Sequence, residues 1–357
     1  MTAIGLLSLG DLITDPLTGH RRSHAERHRN VVDQAVVAEA SGFSSVHLGE
    51  HHFCDYIVSA PPIVLAAIAE RTSSLRLSTG VALGVNLDPV RIAEDYATLD
   101  VLSGGRVEPC VGRGTFFPHT FAAFGQDPAN AKAMFAENLE LLVRLWTEER
   151  ITWTGQHRAP LTNVTVMPRP LQLPRPPIWA GVGASPDSID LAARLGLWLM
   201  LPTVFGTIDM FSRAVELYMR AWDHYGHPRS AMRIGACHHT FVHRSSTAAR
   251  QRWEPRYRAY IEWVNALQFE SSGGRSAGLG GFDFDALTAE TAVCGSPDQV
   301  VDRLGTIAER LSLDTQILMF DMGGMPDSEL FAAIELTGSE VIPQLGEHSQ
   351  DAASSLR

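Results

Sequence analysis

The chain is short of several things, and each shortage excludes a class. Its four cysteines, Cys54, Cys110, Cys237 and Cys294, are widely spaced and form no C-x-x-C pair. That excludes a disulfide framework and fits free thiols in a reducing cytoplasm. Long hydrophobic runs are missing: the longest, Ile63 to Ala69, is far too short to span a bilayer. Residues 1–15 carry no basic leader and reach Asp11 early, so they read as a first strand, not a signal peptide. Positive charge is scarce: 29 Lys and Arg against 40 Asp and Glu give −11, which argues against nucleic-acid binding through phosphates. No Gly-x-Gly-x-x-Gly turn follows an early strand, which argues against an open dinucleotide-binding sheet.

What remains is a large apolar fraction, 45%, in a chain of 357 residues, long for one core but ordinary for an α/β barrel. Short β-rich runs alternate with amphipathic stretches throughout. The runs are Ile4–Leu9, Ser45–Gly49, Leu75–Val85, Val107–Val111, Ile178–Val182, Leu197–Leu201, Arg233–Val242 and Gln316–Phe320. Eight such runs predict a (β/α)8 TIM barrel occupying residues 1–345 as one domain. Two insertions are expected. One is the proline-rich 152–177. The other is 245–290, an aromatic helix (Trp253, Tyr257, Tyr260, Trp263) followed by a glycine-rich lid at 271–285. A flexible tail at 346–357 is expected beyond the barrel. Asp88-Pro89, Asp127-Pro128, Ser185-Pro186 and Ser296-Pro297 mark helix starts. Arg21, Arg22, Arg27 and Arg29 cluster at another, and a solvated face is the expectation there.

The chemistry gathers at strand ends. His47-Leu48-Gly49-Glu50-His51 matches His-x-x-Glu-His, but zinc would need it on a helix, and this segment reads as a strand running into a glycine. No metal is expected. Glu50, His51 and His52 instead fall just past the second strand, where barrel enzymes keep reactive groups, and His51 is the candidate acid–base group. Arg113, between Gly112 and Gly114, follows the fourth strand; a guanidinium there binds phosphate or pairs with a rim carboxylate. Ser185 to Ser188 open a helix after the fifth strand, where phosphate binding and plain capping both stay open.

These pieces resemble the bacterial luciferase-like monooxygenases, flavin-dependent oxidoreductases on a modified (β/α)8 barrel. The resemblance rests on Glu50-His51-His52-Phe53, on Pro89 to Asp95, on Leu99 to Arg106, on Gly112-Arg113-Gly114 and on Pro176-Pro177-Ile178-Trp179. It extends from the first strand to Val341-Ile342-Pro343. It implies FMN, reduced by a separate NAD(P)H–flavin reductase, that reacts with O2 to a flavin C4a-peroxide and oxygenates a small organic substrate. It implies His51 as base or hydrogen-bond partner at the flavin, with Glu50 as its support. It places a cis peptide near Gly80 and Val81 beside the flavin ring. It makes Arg113 and Ser185 phosphate ligands, with Thr115, Ala184 and Ser188 along the same path. It further implies a homodimer. Pro109 and Ala184 depart from the usual family pattern. Two alternatives stay open: hydride transfer with deazaflavin F420 on the same fold, and a non-catalytic flavin-binding or heterodimer subunit.

Overall fold

Every run expected to be a strand enters one parallel sheet. The computed structural model describes residues 2–345 apart from 205 and 277; the tail expected at 346–357 lies outside the described residues. The strands are β1 (Ala3–Ser8), β2 (Ser45–Leu48), β3 (Arg76–Thr79), β4 (Ala82–Leu83), β5 (Cys110–Gly112), β6 (Ile151–Trp153), β7 (Leu161–Val164), β8 (Trp179–Gly181), β9 (Trp198–Leu201), β10 (Ile234–Val242), β11 (Val293–Gly295) and β12 (Thr315–Met319). The helices are α1 (His24–Ala40), α2 (Pro61–Ala69), α3 (Pro89–Leu102), α4 (His119–Ala123), α5 (Ala131–Thr147), α6 (Pro186–Arg194), α7 (Ile208–His224), α8 (Ser246–Ser271), α9 (Phe284–Glu290), α10 (Pro297–Leu311) and α11 (Asp327–Leu336).

The sheet order is β3-β2-β1-β12-β10-β9-β8-β5-β4, with β11 added beside β10. Its two ends, β3 and β4, are halves of one segment parted at Gly80-Val81, whose peptide is cis. A parallel bridge between Leu77 and Val107 joins this segment to the approach to β5 and closes the ring. The fold is therefore the expected α/β barrel. Parallel strands are covered by helices outside and by packed side chains inside, so they are apolar on both faces. All nine residues of β10 are buried. Among the described residues, no helix is long and apolar enough to cross a membrane.

The differences from expectation have local causes. Leu75–Val85 is not one strand, because its ladder breaks at Gly80-Val81. The fourth strand is short: Pro109 has no N–H to give a ladder, although its carbonyl accepts from Trp179 N at 2.9 Å. The 152–177 insertion contains most of the antiparallel β6–β7 hairpin, which begins one residue earlier at Ile151. Helix starts follow their caps: Asp88 Oδ1 accepts from Val90 N at 2.8 Å, and Ser296 forms a capping box with Gln299.

The arginine cluster is not simply a solvated face. Arg27 is 2% exposed, with its guanidinium 3.1 Å from Asp11 and 2.7 Å from Asp321. Those acids follow β1 and β12, so α1 is tied to the rim of the barrel by a buried charge cluster. Burial pushes Asp11 up to about 6 despite the guanidinium. Removing the cation strands two buried carboxylates, a change that costs about 3–5 kcal/mol. Arg27→Met is expected to lower unfolding stability by about that much in urea titrations; a loss under about 1 kcal/mol contradicts the assignment.

Candidate functional site

The C-terminal ends of the strands open onto one cavity of about 520 Å³. A parallel barrel puts its functional loops at this end. The wall is mostly apolar, broken by a few polar groups that fall into two sets.

The first set follows β2. His51 lines the cavity, its ring stacked on Tyr56 (4.1 Å between centroids, 22° between planes) and edge-on to Phe117 at 5.5 Å. Its Nδ1 is buried and has no hydrogen-bond partner among the described residues. Burial above all, with a smaller push from His52, lowers its pKa to about 3, so the imidazole is neutral at neutral pH. Glu50 also lines the cavity, but its carboxylate does not back His51. Its Oε1 accepts from His52 Nε2 at 2.8 Å, and its Oε2 accepts from Leu83 N at 3.0 Å. His52 sits off the cavity wall, edge-on to Phe124 at 4.9 Å. The acid–imidazole pair in this motif is therefore Glu50 with His52, and it fastens the loop to β4.

The second set lies over β5 and β8, which pair through Gly112 and Gly181. Gly80, Val81, Gly112, Arg113 and Thr115 are all on the wall. Gly114 has φ of +71°, which favours glycine, and a Cβ there would meet Leu83 at 2.8 Å. The Arg113 guanidinium forms no hydrogen bond or ion pair among the described residues, although it is only half-buried. Gly183 is also on the wall, and a Cβ there would meet nothing closer than Pro202 at 3.9 Å, so the space before it is open. Ala184, Ser185 and Ser188 follow it but are not on the wall: Ala184 is exposed, Ser185 half-buried and Ser188 buried. Ser185 occupies the N-cap of α6 without a side-chain cap bond, and the buried Ser188 Oγ is 3.4 Å from Ser185 Oγ. At that helix start Pro186 has no N–H and the Ser188 and Ile189 amides donate to Ser185 O, which leaves the Asp187 amide as the donor for an anion.

Sequence reasoning missed Tyr56 and His239. Tyr56 Oη is 2.8 Å from Tyr260 Oη, and His239 Nδ1 is 3.0 Å from Tyr257 Oη. His239 is lowered to about 3 by burial, with a smaller contribution from His238. The His238-His239 pair inside a predicted strand held the signal, because alternation turns one of two neighbours toward the barrel interior. Ser272, Ser276 and Leu279 bring the glycine-rich segment onto the same cavity. Asn265 holds that segment, donating to Gly280 O at 2.9 Å and accepting from Leu279 N at 2.6 Å.

With this geometry in place, comparison with known proteins is informative. A profile described as luciferase-like monooxygenase matches residues 8–315. The chain is similar to the oxygenase component of the flavin-dependent trigonelline monooxygenase of Acinetobacter baylyi, 26% identical over 49% of each chain. It is similar to the crystal structure of monooxygenase RslO1 from Streptomyces bottropensis, with a TM-score of 0.84 and 28% identity over 96% of this chain and 99% of that one. A coenzyme F420 dependent tetrahydromethanopterin reductase from Methanopyrus kandleri shares the fold, with a TM-score of 0.73 and 19% identity over 96% and 99%.

Neutral burial of His51 and His239 has a measurable sign. Each stays unprotonated in the folded chain but protonates in the unfolded chain below about 6.5, so each removes stability as the pH falls below that value. In NMR titrations, the imidazole resonances of both are expected to stay fixed between about pH 8 and pH 5. A midpoint near the ordinary histidine value for either contradicts the burial argument.

Proposed function

The chain belongs to the luciferase-like monooxygenase family, and from that premise we propose that it is the oxygenase of a two-component FMN system. In this reading it takes reduced FMN from a separate NAD(P)H–flavin reductase and uses O2 to oxygenate a small organic substrate. One observation carries the reading: a guanidinium without a protein partner on the wall of a mostly apolar cavity. Arg113 there calls for an anion, and the open space before Gly183 and the uncapped start of α6 leave room for one. A phosphate fits that donor set.

Bound FMN would supply the electrons that reduce dioxygen to the oxidant. The chain's own residues would do the rest. Arg113 and Thr115, with the Asp187 amide at the start of α6 and the Ser185 and Ser188 hydroxyls, would hold the phosphate. Gly80, Val81 and Gly112 would form the floor beneath the ring. His51 would act at Nδ1 as a neutral hydrogen-bond partner; its weak basicity suits orienting a group better than storing a proton. Glu50 would act at a distance, by fixing Leu83 and His52. Phe116, Phe117 and Leu279 would exclude water, which a reactive oxygen adduct requires.

A homodimer belongs to the same reading. Ile63 on α2 and Val101 and Leu102 on α3 are exposed apolar side chains beside the early strands, and a second copy would cover them. All four thiols are free, which fits the cytoplasm.

The roles separate by kinetics. With a flavin reductase, NADPH and a panel of aldehydes, ketones and sulfonates, Arg113→Ala is expected to weaken FMN binding about tenfold or more. His51→Ala is expected to slow turnover about a hundredfold while FMN affinity changes little. Equal losses of FMN affinity in the two variants contradict these roles. Anaerobic hydride transfer with reduced F420, without oxygen-dependent turnover on FMN, would assign the chain to the deazaflavin reading instead.

A further inference from the structure

The cavity has a second side. In the sheet order β2, β1, β12 and β10 are neighbours, and they lie around the ring from β5 and β8, which lead into Arg113 and Gly183. On this side the wall is made by the aliphatic Leu7, Leu9, Ile317 and Met319, together with Tyr56 and Tyr260, beside Glu50 and the neutral His51 and His239. Arg113 is the one lysine or arginine on the wall among the described residues. An ionised carboxylate or sulfonate on this side would be buried without a counter-charge, which weakens its binding.

The two phenols come from separate elements, the loop after β2 and helix α8, and both are buried. Their oxygens are 2.8 Å apart, so one donates and the other accepts. The accepting phenol keeps its own O–H. Neither oxygen makes another hydrogen bond among the described residues; the Asp11 and Asp321 carboxylates lie nearby without bonding to them. The spare proton is polarised by the first bond, which makes it a better donor. Since both side chains line the cavity, that is where its acceptor would come from. Aromatic rings line the cavity beside the spot: His51, Phe116 and Phe117 are on its wall, the Phe117 ring 6.2 Å from Tyr56. Rings of this kind favour planar apolar ligands.

We propose that the Tyr56–Tyr260 hydroxyl pair anchors the substrate, and that the substrate is an uncharged, ring-bearing molecule with a carbonyl or similar hydrogen-bond acceptor. This rests on the flavin reading above, because it takes the Arg113 side to be filled by the cofactor. The pair fixes one polar atom of the substrate, and the aliphatic wall takes the remainder.

Equilibrium dialysis on the full chain saturated with oxidised FMN tests this with three probes of one shape. 2-Acetonaphthone offers an acceptor, 2-ethylnaphthalene offers none, and 2-naphthoate adds a charge. The ketone is expected to bind about five- to tenfold more tightly than the hydrocarbon, and the carboxylate more weakly than both. The double variant Y56F/Y260F is expected to erase the ketone's advantage while hydrocarbon binding stays within about twofold. Each single variant keeps one phenol and is expected to lose less. Equal binding of ketone and hydrocarbon by the unaltered chain overturns the donor role, as does an equal loss of both in the double variant. Naphthoate binding as well as the ketone overturns the uncharged class. FMN affinity is read before any probe is added, so failure there is seen separately as failure of the flavin reading.

Discussion

An arginine without a carboxylate, set at the mouth of a cavity lined mainly by aliphatic and aromatic side chains, is the constraint around which this molecule is arranged. Other arginines near the core have protein partners: Arg27 lies between Asp11 and Asp321, Arg256 reaches Asp15 and Glu329, Arg76 meets Glu108, and Arg106 and Arg175 donate to backbone carbonyls. Burying a cation is costly, and pairing repays part of that cost. Arg113 stands apart because its neighbours are glycines and a threonine, and because the adjoining strand leads into a helix start whose own serine does not cap it. Unpaired charge in a concave, half-buried place is complementary to a ligand that brings the opposite charge.

The rest of the cavity follows a different rule. Its imidazoles are held neutral by burial, its Glu50 carboxylate is spent on His52 and Leu83, and its phenols are paired with each other. A site organised in this way offers hydrogen bonds without free charge. That suits chemistry in which water must be kept away from a short-lived oxidant, and it suits substrates that enter by apolar contact. The glycine-rich segment tied down by Asn265 completes the cover.

Much of this was legible in the chain. Alternating apolar runs at Ile4–Leu9, Arg233–Val242 and Gln316–Phe320 announced a parallel barrel, because buried strands are apolar on both faces whatever the neighbours are. Arg113 and His51 were legible from their place after strands. Glu50's partner was not: the choice between His51 and His52 depends on how the loop turns back on β4, which is a tertiary matter. The pairing of Arg27 is hidden from the sequence for the same reason. Charge clusters are solvated unless distant acids are folded against them, and Asp321 is 294 residues away. Nothing local marks Tyr56, a tyrosine whose partner lies on a helix 204 residues later.

The central claim is that the cavity recognises a flavin by its phosphate. Titrating the unaltered chain with FMN and with riboflavin, which has the same ring and no phosphate, isolates that interaction. Riboflavin is expected to bind at least about tenfold more weakly, the difference shrinking as salt is raised, as a charge-assisted contact requires. Equal affinity for the two, at any salt concentration, would contradict the account.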